Sequence, residues 1–159
     1  SSGQADFGLC FAKTLPASIE FTPLADDRYV AACRHDHPLA RKTHLSWQAY
    51  FEQDYIGLDR VSGNRTLLDR ELAHLTPARP SICETRHVTT MLGMVEAGIG
   101  IAAVPAMSMP AGEHSVLRAV PLTDPVVTRT VGLIRLSGRI QSYVAAELEK
   151  LIIEQYPSG

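Results

Sequence analysis

Residues 87–106, HVTTMLGMVEAGIGIAAVPA, decide how this chain folds. Val88, Met91, Leu92 and Val95 share one face at helical spacing, and Gly98 sits where a helix C-terminus calls for positive φ. The run Ile99–Val104 that follows is short and apolar and is stopped by Pro105, so it reads as a strand buried on both faces. A helix closing directly into a buried strand is half of an alternating α/β unit. The same stretch superficially matches the dinucleotide pattern GxGxxA through Gly98, Gly100 and Ala103. That motif must follow a strand and open a helix, so that a pyrophosphate meets the helix N-terminus. Here the order is reversed, and the glycines read as a helix stop followed by tight strand packing.

The alternation extends in both directions. Upstream, Asp54–Leu58 reads as a buried strand, Gly63–Leu75 as a helix with Leu68, Leu72 and Leu75 on one face, and Ser81–Glu84 as a strand after Pro77 and Pro80. Ser46 is placed to cap a short helix over Trp47–Glu52. Ala5–Phe11, Phe21–Leu24, Arg28–Cys33, Val116–Leu122 and Val126–Leu136 read as further extended segments. A closing helix over Gln141–Gln155 aligns Val144, Leu148, Leu151 and Ile152. The expected fold class is α/β, with a largely parallel, helix-covered sheet. Residues 28–122 contain enough elements for a complete unit, but the flanks do not. The economical reading is two lobes: 1–27 as part of lobe I, 28–122 as a complete lobe II, and 123–159 returning to lobe I with the C-terminal helix. The first half of lobe I is then expected upstream of Ser1.

The composition sets outer limits. The 159 residues are 45% apolar and 20% charged, with a formal net charge of -2, which argues against the whole chain being a nucleic-acid glove. The uncharged run between Glu96 and Glu113 is broken by Gly98, Gly100, Pro105 and Pro110, so no membrane span is expected. Cys10, Cys33 and Cys83 are odd in number and form no CxxC pair; they read as structural thiols of a cytoplasmic protein. His35 and His37, with His44 nearby, read as exposed loop histidines, and no metal or cofactor is expected. Asp26 and Asp27 read as solvated carboxylates in a hinge. The signatures GxSxG, SxxK, HExxH and the phosphate-binding loop are missing from the sequence, and no enzyme activity is expected.

One motif points to a ligand. Ser62-Gly63-Asn64-Arg65 follows a buried strand and opens a helix. The Ser62 hydroxyl, the first-turn N–H groups and the helix dipole suit a carboxylate or phosphate, Gly63 permits close approach, and Arg65 offers a charged fork. An ordinary serine cap explains the same residues equally well. His87, at the start of the next helix, reads either as a cap or as a polar cleft wall. Pro105, at the end of its strand, can also line a cleft.

Four phrases in order carry a family likeness: GQADFGL (residues 3–9), PLADDRYVAACRHDHPLA (23–40), SGNRTLLDREL (62–72) and MLGMVEAGIGIAAVPAM (91–107). Together they resemble the effector-binding region of LysR-type transcriptional regulators. The resemblance implies a type II periplasmic-binding-protein-like fold: two Rossmann-like lobes joined by two crossing strands, with lobe I incomplete here. It further implies a small-molecule effector held between the lobes, which the hydroxyl and backbone donors around Ser62 suggest is anionic. A homodimer or tetramer is implied too, with DNA contacted only through an N-terminal winged helix-turn-helix outside this sequence. Carried over by position, the effector contacts are Phe11, Ala12 and Lys13 in lobe I. In lobe II they are Ser62, Gly63, Asn64, Arg65, Val104 and Pro105, to which the reading of the residues themselves adds His87 as a candidate contact. The family often has Thr or Ser in the first of these loops, whereas Phe11 is apolar. The competing readings are a free periplasmic-type solute-binding protein and an enzyme on the same scaffold.

Overall fold

A computed structural model describes residues 5–11, 15–112 and 116–156. The chain divides into two compact units: Ser1–Asp27 with Thr128–Gly159 form one (unit 1), and Arg28–Val127 the other (unit 2).

Unit 2 is built on the C-terminal part of β2, which spans Ile19–Arg34 as one 16-residue strand. Its neighbours in this unit are β6 (Ile101–Pro105) on one side and β7 (Leu117–Thr123) on the other, both antiparallel. Beyond β6 lie β4 (Tyr55–Leu58) and β5 (Cys83–Thr85), parallel to β6 and to each other. The two-residue β3 (Leu45–Ser46) pairs in parallel with β7. The sheet is therefore mixed rather than largely parallel. The parallel part is the β6-β4-β5 block that the helix-strand alternation generates.

Alternate residues of β2 feed two cores. Tyr29, Ala31 and Cys33 face a cluster containing Trp47, Tyr50, Leu72 and Val120, while Val30 and Ala32 face one containing Met91, Leu92 and Val95. Burial on both faces leaves no polar face along this stretch, as the apolar run RYVAAC requires. The Cys33 thiol is pushed up to about 11 by this burial. Helices α1 (Trp47–Phe51) and α2 (Gly63–Glu71) accompany the first cluster and α3 (Val88–Glu96) the second. Ser46 caps α1 by accepting a hydrogen bond from the Ala49 N–H at 3.2 Å.

The glycines of the 87–106 stretch have separate duties. Gly98 adopts φ +77°, and its N–H and that of Ile99 donate to the Val95 and Met94 carbonyls at 2.9 and 3.1 Å, the double closure of a Schellman cap. Gly100 passes the Asp54 carbonyl oxygen so closely that an added Cβ would lie 2.6 Å from it.

Unit 1 holds β1 (Phe7–Phe11) and β8 (Thr128–Leu136), antiparallel from Phe7↔Arg135 to Phe11↔Val131, with β8 lying between β1 and β2. Its helix is α4 (Tyr143–Gln155), capped by the Ser142 hydroxyl. Two sequence readings change here. Ala25-Asp26-Asp27 is no break but the middle of β2, and Asp27 is buried rather than solvated. Its Oδ2 accepts hydrogen bonds from Arg129, at 3.1 Å from Nε and 2.9 Å from Nη2. On α4 the inward positions are Ala145 and Glu149, with Ile152 half-buried beside them, whereas Val144, Leu148 and Leu151 face outward. A helix laid against one sheet buries one stripe, and the stripe chosen is one residue away from the aligned leucines.

Candidate functional site

The parallel block brings three strand ends to one edge of unit 2. Leu58 pairs with Thr85, and β6 runs parallel to β4, so β4, β5 and β6 all deliver their carboxyl ends there. Open α/β sheets bind ligands at such an edge. From β4 the chain turns into α2. Asp59 N–H donates to the Thr85 carbonyl at 2.9 Å, and Ser62 N–H returns to the Asp59 carbonyl at 2.9 Å, which fixes the loop against the β5 end.

Ser62 is the N-cap of α2, with φ -72° and ψ 128°, but its side chain makes no capping hydrogen bond. The capping and ligand readings therefore separate: the hydroxyl does not occupy the first-turn donors. His87 likewise precedes α3 as N-cap without a side-chain bond, at φ -118° and ψ 135°. Its carbonyl takes the Met91 N–H at 3.0 Å. Two helix N-termini, each positive by virtue of its dipole, thus start from adjacent parallel strands.

The neighbouring side chains are arranged around these starts. Asn64 Oδ1 accepts a hydrogen bond from the Tyr29 hydroxyl at 2.8 Å, which orients the amide. Arg65 is more committed than its sequence position suggests. Nη1 donates to the Leu58 carbonyl at 3.0 Å and to Glu84 at 3.4 Å, and Nε to Asp69 at 2.7 Å. The Asp69 hydrogen bond holds the guanidinium pKa above its ordinary value. Val104 and Pro105 close β6 as buried residues, and Pro105 pairs with Tyr29.

In unit 1, Phe11 ends β1, and the Arg129 guanidinium carbon lies 5.2 Å from its ring centroid. Ala12 and Lys13 lie outside the described residues. His37 caps the 3-10 turn Pro38–Arg41 by accepting from the Leu39 N–H at 3.2 Å, and His35 Nδ1 lies 3.2 Å from the Val116 carbonyl. Among the described residues no three His, Cys, Asp or Glu side chains gather as a metal site. None of the helices among them is long and apolar enough to cross a membrane.

Sequence reasoning missed Tyr29, Glu84 and Arg129, which set the orientation of Asn64, Arg65 and Asp27. Tyr29 opens an apolar strand and carries no local motif, and its partner lies 35 positions away.

A chain that builds one unit from its two ends and a second from its middle, with ligand-type strand ends in the second, has the type II periplasmic-binding-protein-like fold. Solved structures of this class match it. The effector binding domain of QuiR in complex with shikimate superposes with a TM-score of 0.77 at 23% identity, over 95% of this chain and 71% of that one. The regulatory domain of CcmR from Synechocystis PCC6803, in complex with 2-PG, gives 0.81 at 17% identity, over 97% and 74%. The chain belongs to the LysR substrate binding domain family, whose model matches residues 1–157. A relative from Escherichia coli K12, the uncharacterized HTH-type transcriptional regulator YbhD, is 40% identical over 150 residues, which is 94% of this chain and 47% of the relative. The chain thus spans about half the length of the curated relatives it matches.

Proposed function

We propose that this chain is the ligand-sensing part of a LysR-type transcription regulator, and that it binds a small anionic metabolite. The observation that carries the reading is the pair of helix starts at Ser62 and His87, neither closed by its own capping side chain, on adjacent parallel strand ends. Carboxylate or phosphate oxygens complement N–H donors and a positive helix end. Family membership, and two neighbours whose structures hold shikimate and 2-PG, support the same chemistry.

In this reading Ser62, Gly63 and Asn64 supply the donors of unit 2, His87 adds a polar wall, and Val104 and Pro105 shape it. Arg65 acts as a support that ties the β4 end to Glu84. Phe11, Ala12 and Lys13 are the contribution of unit 1. The domain is no enzyme: ligand binding shifts the population of its conformations, and that shift alters DNA contacts made by a winged helix-turn-helix elsewhere in the complete, cytoplasmic regulator. The regulator works as a homodimer or tetramer.

The test is calorimetric titration of the full-length regulator with a panel of small carboxylates and phosphate esters, beginning with shikimate and 2-PG. At least one anion binds, and Ser62→Ala weakens it about tenfold, which corresponds to roughly 1.4 kcal/mol. An affinity unchanged by Ser62→Ala removes Ser62 from the site, and binding by neutral analogues alone removes the anion.

A further inference from the structure

We propose that unit 2 carries a second small-molecule site, a cavity of about 460 Å³ beside α1 and α2 that takes a neutral aromatic ligand bearing one hydrogen-bond acceptor. The proposal is independent of the anion site. Of the residues assigned to that site only Arg65 lines this cavity; Ser62, His87 and Pro105 do not.

The cavity lies beneath α2, none of whose nine residues is fully buried, although Leu67 and Leu68 pack against the first core. Its floor is aromatic. The Tyr50 ring centroid lies 5.6 Å from that of Trp47, 5.5 Å from Phe51 and 5.3 Å from Tyr55, with interplanar angles from 45° to 74°. Leu68 and Leu72 supply the opposite wall. Walls of this kind select flat apolar rings, which reproduce the edge-to-face contacts already present.

Charge at the rim selects against ions. Arg65 is engaged by Asp69 and Glu84, and Arg79 by Asp54 at 3.0 Å. An anion entering here meets carboxylates and guanidinium groups already committed to them. A cation would have to separate one of these pairs. A neutral molecule avoids both costs.

The acceptor requirement comes from Tyr50, which is 2% exposed. Its hydroxyl oxygen accepts the Ala103 N–H at 2.9 Å, immediately beyond the last β4–β6 pair, Ile56↔Ala102. Among the described residues the hydroxyl proton has no acceptor, whereas the neighbouring Tyr55 hydroxyl donates to the Arg79 carbonyl at 3.0 Å. Tyr50 and Ala103 both line the cavity, so this donor lies at its wall. A buried donor left unmatched favours a ligand that supplies an oxygen. Burial pushes the phenol pKa far above its usual range, so the group remains a donor at every working pH.

Three probes with matched skeletons test this in the 159-residue chain by NMR titration: benzophenone, diphenylmethane, which lacks the carbonyl, and diphenylacetate, which is charged. Benzophenone is expected to bind saturably within its aqueous solubility and to photolabel α1 or α2. Diphenylmethane should bind at least about fivefold more weakly, for want of the hydrogen bond. Diphenylacetate should not shift the cavity resonances. Leu68→Trp fills the cavity from the half-buried wall and should abolish binding while the circular dichroism spectrum is retained. Tyr50→Phe should erase the preference for benzophenone over diphenylmethane. The proposal is overturned if benzophenone causes no saturable shift, if diphenylmethane binds equally well, or if Leu68→Trp retains wild-type affinity.

Discussion

Asp27 ties β2 to β8 within unit 1 through a nearly buried ion pair. Its side chain is 0% exposed and pairs with an Arg129 side chain that is 14% exposed. Neighbouring Asp26 takes the Thr130 hydroxyl at 2.7 Å, so both carboxylates read as solvated in the sequence tie β2 to β8. Removing one partner of such a pair strands the other in a poorly hydrated place. Asp27→Ala is therefore expected to cost unit 1 about 3–5 kcal/mol, measured by urea unfolding followed with hydrogen exchange in β8. A loss below about 1 kcal/mol would show that water reaches Arg129 freely. Tyr29 makes a subtler case. Tyr29→Phe keeps the ring in the core and removes the donor to Asn64, a neutral hydrogen bond worth about 1 kcal/mol. The expected result is a folded protein whose anion affinity falls severalfold; full affinity would mean Asn64 needs no orientation. Both pairings join distant positions, 102 residues apart for Asp27 and Arg129, and nothing local in ADDRY announces them.

Elements closed by local rules were readable from sequence, and those fixed by distant pairing were not. The α3 pattern, its Gly98 stop and the Ser46 cap of α1 are legible because their physics lies within a few neighbouring residues. The sequence alone divides β2 into two pieces because Asp26 and Asp27 look like a turn until Thr130 and Arg129 are brought beside them. Strand direction fared likewise: helix-strand alternation correctly suggests the parallel β6-β4-β5 block, but gives no hint that β2 joins it antiparallel. Of the candidate site, the Ser62 and His87 helix starts were visible, whereas the commitments of Arg65 depend on Glu84 at the end of another strand. The two glycines of AGIG separate these influences in one experiment. Gly98→Ala places a side chain at positive φ and should cost about 1–2 kcal/mol in unit 2 through the cap alone. Gly100→Ala drives a Cβ to 2.6 Å from the Asp54 carbonyl oxygen, so backbone must move and the loss should be larger. Denaturant midpoints of the two variants decide the order; if Gly98→Ala proves the more damaging, the close approach at Gly100 is relieved cheaply.

On the scale of the whole molecule, the surface of unit 1 argues for association. Along α4, Val144, Leu148 and Leu151 recur at i, i+4 and i+7 and are 75%, 50% and 56% exposed. The helix spends its inward face on Ala145 and on Glu149, which takes a 2.6 Å hydrogen bond from Gln141. An amphipathic helix normally hides its large residues and shows its polar ones. Here Val144, Leu148 and Leu151 form an outer apolar stripe while only Ile152 of the large side chains in this alignment is half-buried, the arrangement expected when a second surface covers the stripe. A formal net charge of -2 offers little electrostatic opposition to self-association. The chain is accordingly expected to run above its 17.3 kDa monomer mass in light scattering at high concentration. Leu148→Glu with Leu151→Glu should return it to the monomer without loss of helix, because neither side chain belongs to the buried face. A wild-type chain that stays monomeric, or a double variant that still associates, would place the contact elsewhere than on α4.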